Sequence, residues 1–424
     1  MQIAPILIVF LIRFTKDIIP SFEMQNKSIL TILKDEERKK KLITCMTLPP
    51  ADWPYYSTKH KLDPKIAIPF LRSYHKSKKK FPRFKHYMLA FTERSLQQSS
   101  AEFSSAYKAQ IMSGNRLVNL TGGLGADDWF LSESFGEIIS IDHDKTLTEI
   151  AEWNLNALGI KNVERKYQSA EKFIAAYKSS PDDIFFIDPD RRPQKKKMIT
   201  LENSSPNIFD LLPTLQKNGR ACWVKLSPMI DLQYLSQRLG EFLEEIHLIA
   251  IRSNMKEVLI KLNFKSFSET QSLFLINGKS YDSQKGFEQQ KYQWPAQKIE
   301  IESCPILEYV YRGRPLLVKS TYANYEAKNE KLFAVENIPS LYTSKQKMIL
   351  NHFVTYQHVQ SFFKFKSALK MLQKVSHGEL VFYGFSKKEK SQILQKVVLK
   401  SNNQTIYFLF KDGRKRGIYQ LERV

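Results

Sequence analysis

The chain has 424 residues, 42% of them hydrophobic and 25% charged, which excludes a disordered polymer and is too long for one ordinary domain. Lysine and arginine number 65 against 43 aspartates and glutamates; such a surplus favours a polyanionic partner, because each neutralised phosphate releases counterions, and a generally lysine-rich surface is the plainer alternative. Cys45, Cys222 and Cys304 are far apart and form no C-x-x-C pair, so neither a zinc ribbon nor a disulfide framework is supported and a reducing cytoplasm fits best.

The chain opens with "MQIAPILIVFLIRF". This apolar run is too short to span a bilayer, and it lacks the basic start and small-residue cleavage site of a signal peptide. A buried first helix or an upstream start codon is expected, with no membrane contact unless residues 1–14 act as an anchor. Residues 1–112 read as a helical, basic N-terminal region. Within it "ILTILKDEERKKKLITCM" (29–46) has helical apolar spacing and an acid-to-base gradient that suits the macrodipole. "HKSKKKFPRFKHY" (75–87) interleaves basic residues with Phe81, Phe84 and Tyr87. That mix suits phosphate contacts with base stacking, or equally a solvated basic loop.

From residue 116 strands alternate with helices. Strands are expected at 116–121, 137–142, 162–167, 183–189, 221–228, 246–252 and 257–264, with helices at 144–159 and 207–219 among the connections. Alternation of this kind implies an α/β, doubly wound, Rossmann-like parallel sheet over 113–266. Only four residues separate the last two strands, too few for a helical crossover, so the seventh strand should run antiparallel. Residues 280–298 read as a loop or linker. Small α+β units are expected at 300–348 and 350–424, the latter ending in a hairpin, "TIYFLFKDGRKRGIYQLE", whose D-G turn carries three basic residues.

Candidate chemistry concentrates in "VNLTGGLGADDWF" (118–130). The loop follows the first strand and precedes a helix, where doubly wound sheets bind ligands. Gly122, Gly123 and Gly125 would let backbone amides approach a ligand. Asp142, at the end of the second strand, is placed to accept hydrogen bonds from ribose hydroxyls. A dinucleotide fingerprint aligned on Gly123 and Gly125 would need glycine at position 128, which is Asp128. Asp127 and Asp128 would repel a pyrophosphate and are better tolerated beside a sulfonium, which favours S-adenosylmethionine over a nicotinamide dinucleotide. In "FFIDPDRRP" (185–193), Asp188 and the carbonyl of Pro189 could accept hydrogen bonds from an exocyclic amine and orient its lone pair. Arg191 and Arg192 could grip a phosphate. The scattered histidines show no metal spacing, Trp129 reads as core, and no phosphate-binding loop or nucleophile elbow occurs.

Taken in order, "VNLTGGLGAD", "SIDHD", "FIDPDRRP", "VKLSPMIDL" and "NMKEVLIKL" resemble class I S-adenosylmethionine-dependent methyltransferases. More narrowly they resemble the bacterial group with a C-terminal THUMP-like domain. "KFPRF" and "QQSSAEFSSAYKAQI" (97–111) are similar to that group's N-terminal region, 307–346 to its small ferredoxin-like insert and 350–424 to its terminal domain. The resemblance implies donor contacts from Asn119, Thr121, Gly122, Gly123, Gly125 and Asp127, with Asp142 on the ribose and Ser169 and Ala170 by the adenine. It implies an acceptor side of Asp188, Pro189, Arg191, Arg192, Lys225 and Ser227, with RNA, transfer or ribosomal, as the partner. Asn119 replaces an acid common in relatives, Asn254 stands where an acid is common before "KE", and the aromatic that amine methyltransferases place after Asp-Pro is missing. The expected function is methyl transfer to a base nitrogen of RNA. The alternatives are a non-catalytic RNA-binding protein on a decayed methyltransferase scaffold and, third, a nicotinamide-dependent oxidoreductase.

Overall fold

The structure, a computed structural model, describes residues 29–178, 180–191, 200–252, 254–265, 271–294, 299–336, 338–401, 404–412 and 415–424. The apolar start and "QKKK" (194–197) lie outside the described residues. Those described fall into two compact units, one running to Arg252 and resuming over Lys256–Gln290, the other holding Lys291–Val424 with the short piece 253–255.

The first unit is built on a sheet whose early strands are β1 (Gly114–Asn119), β2 (Phe135–Asp142), β3 (Val163–Tyr167) and β4 (Ile184–Ile187). A two-residue ribbon follows, β5 (Asp190–Arg191) against β6 (Ser204–Ser205). The sheet resumes with β7 (Ala221–Leu226), β8 (Leu243–Ile251), β9 (Asn254–Asn263), β10 (Gln271–Gly278) and β11 (Phe287–Trp294). Strand order is β11-β10-β8-β9-β7-β4-β1-β2-β3. The pairs β1–β2, β2–β3, β1–β4 and β4–β7 are parallel, and β9 runs antiparallel to β7. All four residues of β4 are buried, as expected for a parallel strand covered on both faces. Each such side chain contributes roughly 1.5–3 kcal/mol.

Nine strands replace the seven expected. The two additions, β10 and β11, extend the sheet beyond β8, with β10 parallel to β8. Much of the segment 280–298, expected as a linker, is therefore strand: Phe287–Trp294, polar apart from Phe287, Tyr292 and Trp294, lies along a sheet edge.

The N-terminal helices share the core of this unit. Leu33, Leu42, Phe70, Leu71 and Phe81 cluster with Leu124, Trp129, Phe130 and Ile150. The expected helix over 29–46 breaks at Asp35, whose carboxylate accepts from the backbone N–H of Arg38 and caps Glu36–Met46. Helix Pro64–Lys80 begins with Pro at its first position under an Asp63 cap and ends on three lysines, the polarity the macrodipole favours. Of the aromatics in 75–87, Phe81 is 1% exposed and both Phe81 and Phe84 meet Trp129 edge to face. These rings are core, which removes them from any base-stacking role.

The second unit carries β12 (Ser303–Cys304), β13 (Tyr309–Gly313), β14 (Phe333–Val335), β15 (Leu341–Ser344), β16 (Phe353–Phe362), β17 (Glu379–Tyr383), β18 (Thr405–Asp412) and β19 (Lys415–Arg423). They form one sheet in the order β12-β14-β15-β13-β16-β19-β18-β17. The pairing of β13 with β16 joins the 300–348 and 350–424 segments in this sheet. The C-terminal hairpin is present as β18–β19, closing at Asp412 opposite Lys415.

Candidate functional site

A cleft of about 650 Å3 opens at the carboxyl ends of β1, β2, β4 and β7. Every expected site residue lines it except the two arginines. Only the backbone of Arg191 is described, in β5, and Arg192 lies outside the described residues.

The three glycines of the loop do different jobs. A Cβ on Gly122 would lie 2.0 Å from Nη1 of Arg165 and 2.4 Å from Oγ of Ser140. Gly122 is therefore fixed by packing behind the loop. Gly125 adopts φ +85 at the start of the helix Ala126–Leu131. Gly123 adopts φ +51, with no neighbouring atom within 4 Å of an added Cβ. Gly123 alone presents open space to a ligand. Its amide donates to Oδ2 of Asp142 at 2.7 Å, while the amide of Asp144 donates to Oδ1 at 2.8 Å. Asp142 thus fastens the glycine loop to the end of β2, and a carboxylate keeps further lone pairs for a ligand hydroxyl. Ser169 caps the helix Ala170–Ala176 through the backbone N–H of Lys172, at the adjoining wall.

The paired acids after the loop are corrected by the structure. Asp128 is fully buried and is not among the residues lining the cleft, accepting from Asn119 (2.6 Å), Ser140 (2.6 Å) and Arg165 (3.2 Å). Burial pushes its carboxyl up, and Arg165 opposes that. Asp127 lines the cleft but is held by Lys108 (2.9 Å), Ser100 (2.8 Å) and Ser105 (2.7 Å). Although burial works against its charge, Lys108 and Lys225 bring its carboxyl down to about 2. Both acids are compensated inside the protein, so their charge does not discriminate between cofactors in the way the sequence suggested. Asn119, likewise, is engaged: its amide nitrogen serves Asp128 and its oxygen accepts from the N–H of Thr121.

The acceptor side is tied to the donor loop. The backbone N–H of Asp188 donates to Oγ1 of Thr121 at 2.6 Å, so the ends of β4 and β1 are coupled through one hydroxyl. Oδ2 of Asp188 accepts from the Lys225 ammonium, and the aspartate side chain remains 35% exposed. Burial disfavours the charge on Lys225, yet Asp188, Glu257 and Asp127 together hold its pKa above the ordinary value. Ser227 lines the wall and accepts from the N–H of Met229.

Sequence reasoning missed the residues beneath this floor. Lys108 is fully buried and pairs with both Asp127 and Glu257 at 2.9 Å. It comes from the stretch 97–111, which stands out in the sequence only by its resemblance to the N-terminal region of the methyltransferase group. Lys80 donates to the carbonyls of Leu96 and Ser99. Burial pushes its pKa down to about 8, and the nearby Lys225 and Lys256 add to that. No pattern within a short window marks these groups, because their partners come from distant parts of the chain. Among the described residues no group of His, Cys, Asp and Glu could hold a metal ion, and no helix is long and apolar enough to cross a membrane.

The fold is one that a solved methyltransferase structure shares. In particular, the chain superposes on the crystal structure of a candidate methyltransferase from Porphyromonas gingivalis W83, with a TM-score of 0.68 and 21% identity, covering 89% of this chain and 92% of that one. Over 170 residues, 40% of the chain, it is 28% identical to uncharacterized S-adenosylmethionine-dependent methyltransferases from two strains of Mycobacterium tuberculosis, CDC 1551 / Oshkosh and H37Rv. The match spans 45% of those relatives, less than half of their length. No family model matches.

Proposed function

We propose that the protein is an S-adenosylmethionine-dependent methyltransferase that methylates a base nitrogen of RNA, transfer or ribosomal. The observation that carries this reading is the single cleft in which the open Gly123 loop and Asp142 face the Asp188–Pro189 turn, coupled by the Thr121–Asp188 hydrogen bond. The residues fit the donor: Gly123 leaves room for it, Asp142 suits a ribose, and Ser169 and Ala170 suit an adenine edge. When bound, S-adenosylmethionine supplies an electrophilic methyl group. The chain's part is positioning. Asp188 and the Pro189 carbonyl would accept N–H bonds from the acceptor amine, directing its lone pair at the methyl carbon. Lys225 would hold the Asp188 carboxylate in position.

The excess of cations and the names of the curated relatives support this reading, which also takes 350–424 as a THUMP-like domain and the cytoplasm as the location. The engagement of Asn119 with Asp128 and Thr121 explains that departure structurally, so Asn119 is no argument for a decayed scaffold.

The test uses purified protein, methyl-labelled donor and total cellular RNA. The wild type should label RNA. Asp188→Ala should lower the rate by about a hundredfold while donor affinity, measured by calorimetry, is retained. Label entering protein or DNA instead contradicts the RNA acceptor, and lost donor affinity in Asp188→Ala contradicts the role given to that carboxylate.

A further inference from the structure

The second unit holds a hollow of about 900 Å3. Its floor is aromatic: Tyr419 stacks on Phe410 with centroids 4.9 Å apart and planes 16° apart, and Phe363 meets Tyr419 edge to face at 6.3 Å. Tyr419 and Phe410 are buried, but Phe363 is 66% exposed. An unusually open aromatic ring therefore borders the hollow. The rim is cationic. Lys364 and Lys366 flank Phe365 at the start of the helix Phe365–Leu372, and Lys415 and Arg416 open β19 just after the hairpin turn. All four are exposed, and none forms an ion pair with a described residue. Among the described residues the one carboxylate lining the hollow is Glu336.

Two features here are unsatisfied by the protein itself: a cluster of like charges and an uncovered ring. One ligand answers both if it carries closely spaced anions and a planar aromatic face. An unpaired nucleotide within a strand does so, since its phosphates meet the cations and its base has a free face for stacking. A duplex hides its base faces in the stack. An acidic peptide supplies charge without the ring.

We infer that this hollow binds an unpaired stretch of RNA, with a base against Phe363 and phosphates on Lys364, Lys366, Lys415 and Arg416. The hollow's own chemistry asks for a single-stranded nucleotide; the choice of RNA rests on the acceptor proposed above.

The experiment measures fluorescence anisotropy of a labelled oligouridylate of about a dozen nucleotides, titrated with the full-length protein at several salt concentrations. Calorimetry with S-adenosylmethionine is run on the same preparations. Phe363→Ala should weaken binding about tenfold and leave the salt dependence unchanged. The double variant Lys415→Ala/Arg416→Ala should lower the slope of log affinity against log salt by about 1.4, two single-strand phosphate contacts. Both variants should bind the methyl donor as the wild type does, and an RNA duplex of equal length should bind more weakly. Wild-type affinity in Phe363→Ala, an unchanged slope in the double variant, or equal affinity for the duplex overturns the site. Equal affinity for the matching deoxy oligomer overturns the commitment to RNA. If these variants behave as expected while the wild type methylates no RNA, the proposed function fails and the hollow stands. If RNA is methylated and the variants bind it like the wild type, the hollow fails and the proposed function stands.

Discussion

Around the cleft of the first unit three cations are committed to the protein's own carboxylates: Lys108 to Asp127 and Glu257, Arg165 to Asp128, Lys225 to Asp188. Around the hollow of the second unit, Lys364, Lys366, Lys415 and Arg416 are exposed, and among the described residues lining it the carboxylate is Glu336. The same residue types thus serve opposite ends. A buried, paired charge fixes the position of a neighbouring group and is costly to disturb, because removing one partner strands the other in a low dielectric. An exposed, unpaired charge contributes little to the fold and remains available to a ligand. The net charge of +22 therefore says little about where a polyanion would bind until the paired cations are set aside.

The largest expected effect tests that division. Lys108→Ala leaves Asp127 and Glu257 buried without their cation and should lower unfolding stability by about 3–5 kcal/mol, whereas Lys364→Ala should change it by no more than about 0.5 kcal/mol. Urea midpoints measure both, and similar losses in the two variants would erase the comparison. A smaller effect separates two glycines of the donor loop. Gly122→Ala drives a methyl into Arg165 and Ser140 and should cost about 1–3 kcal/mol. Gly123→Ala meets no atom and carries only the left-handed backbone penalty, about 1–2 kcal/mol. A costlier Gly123→Ala would mean that the space beside Gly123 is not open. An effect of similar size concerns pH. The Asp127 carboxyl lies at about 2 in the fold against an ordinary 3.8, so its stabilisation is complete above about pH 4 and is lost as pH falls toward 2. That limb is worth about 2 kcal/mol. Acid titration of stability should lose it in Asp127→Asn, and an unaltered acid limb would show that Lys108 does not hold the carboxylate.

Much of the cleft was legible because its signals are local. β1, β2, β4 and β7 announce themselves as short apolar runs, and the glycine loop, Asp142 and Asp188 each sit at the end of such a run. The hairpin β18–β19 was legible from its D-G turn. The added strands β10 and β11 were not: β11, Phe287–Trp294, is half exposed and its polar composition mimics a linker, since an edge strand buries little. Nor were the roles of Asp128 and Lys108 legible. The repulsion argument placed Asp128 beside a ligand, but Arg165, brought in by β3, takes up its charge. Lys108 carries no local signal because both of its partners lie on other elements. Local pattern predicts where a strand ends and what it offers there; it is silent on which buried charges meet behind it.

The most direct test of the central claim is a calorimetric titration of the purified protein with S-adenosylmethionine and, separately, with NADH, in the wild type and in Gly123→Arg, whose side chain would fill the open space of the loop. A urea midpoint for the variant confirms that it is folded. Saturable binding of S-adenosylmethionine alone, abolished in folded Gly123→Arg, is the result predicted here. Binding of NADH, no binding of either molecule, or S-adenosylmethionine binding that survives in the variant would contradict the assignment of this cleft to the methyl donor.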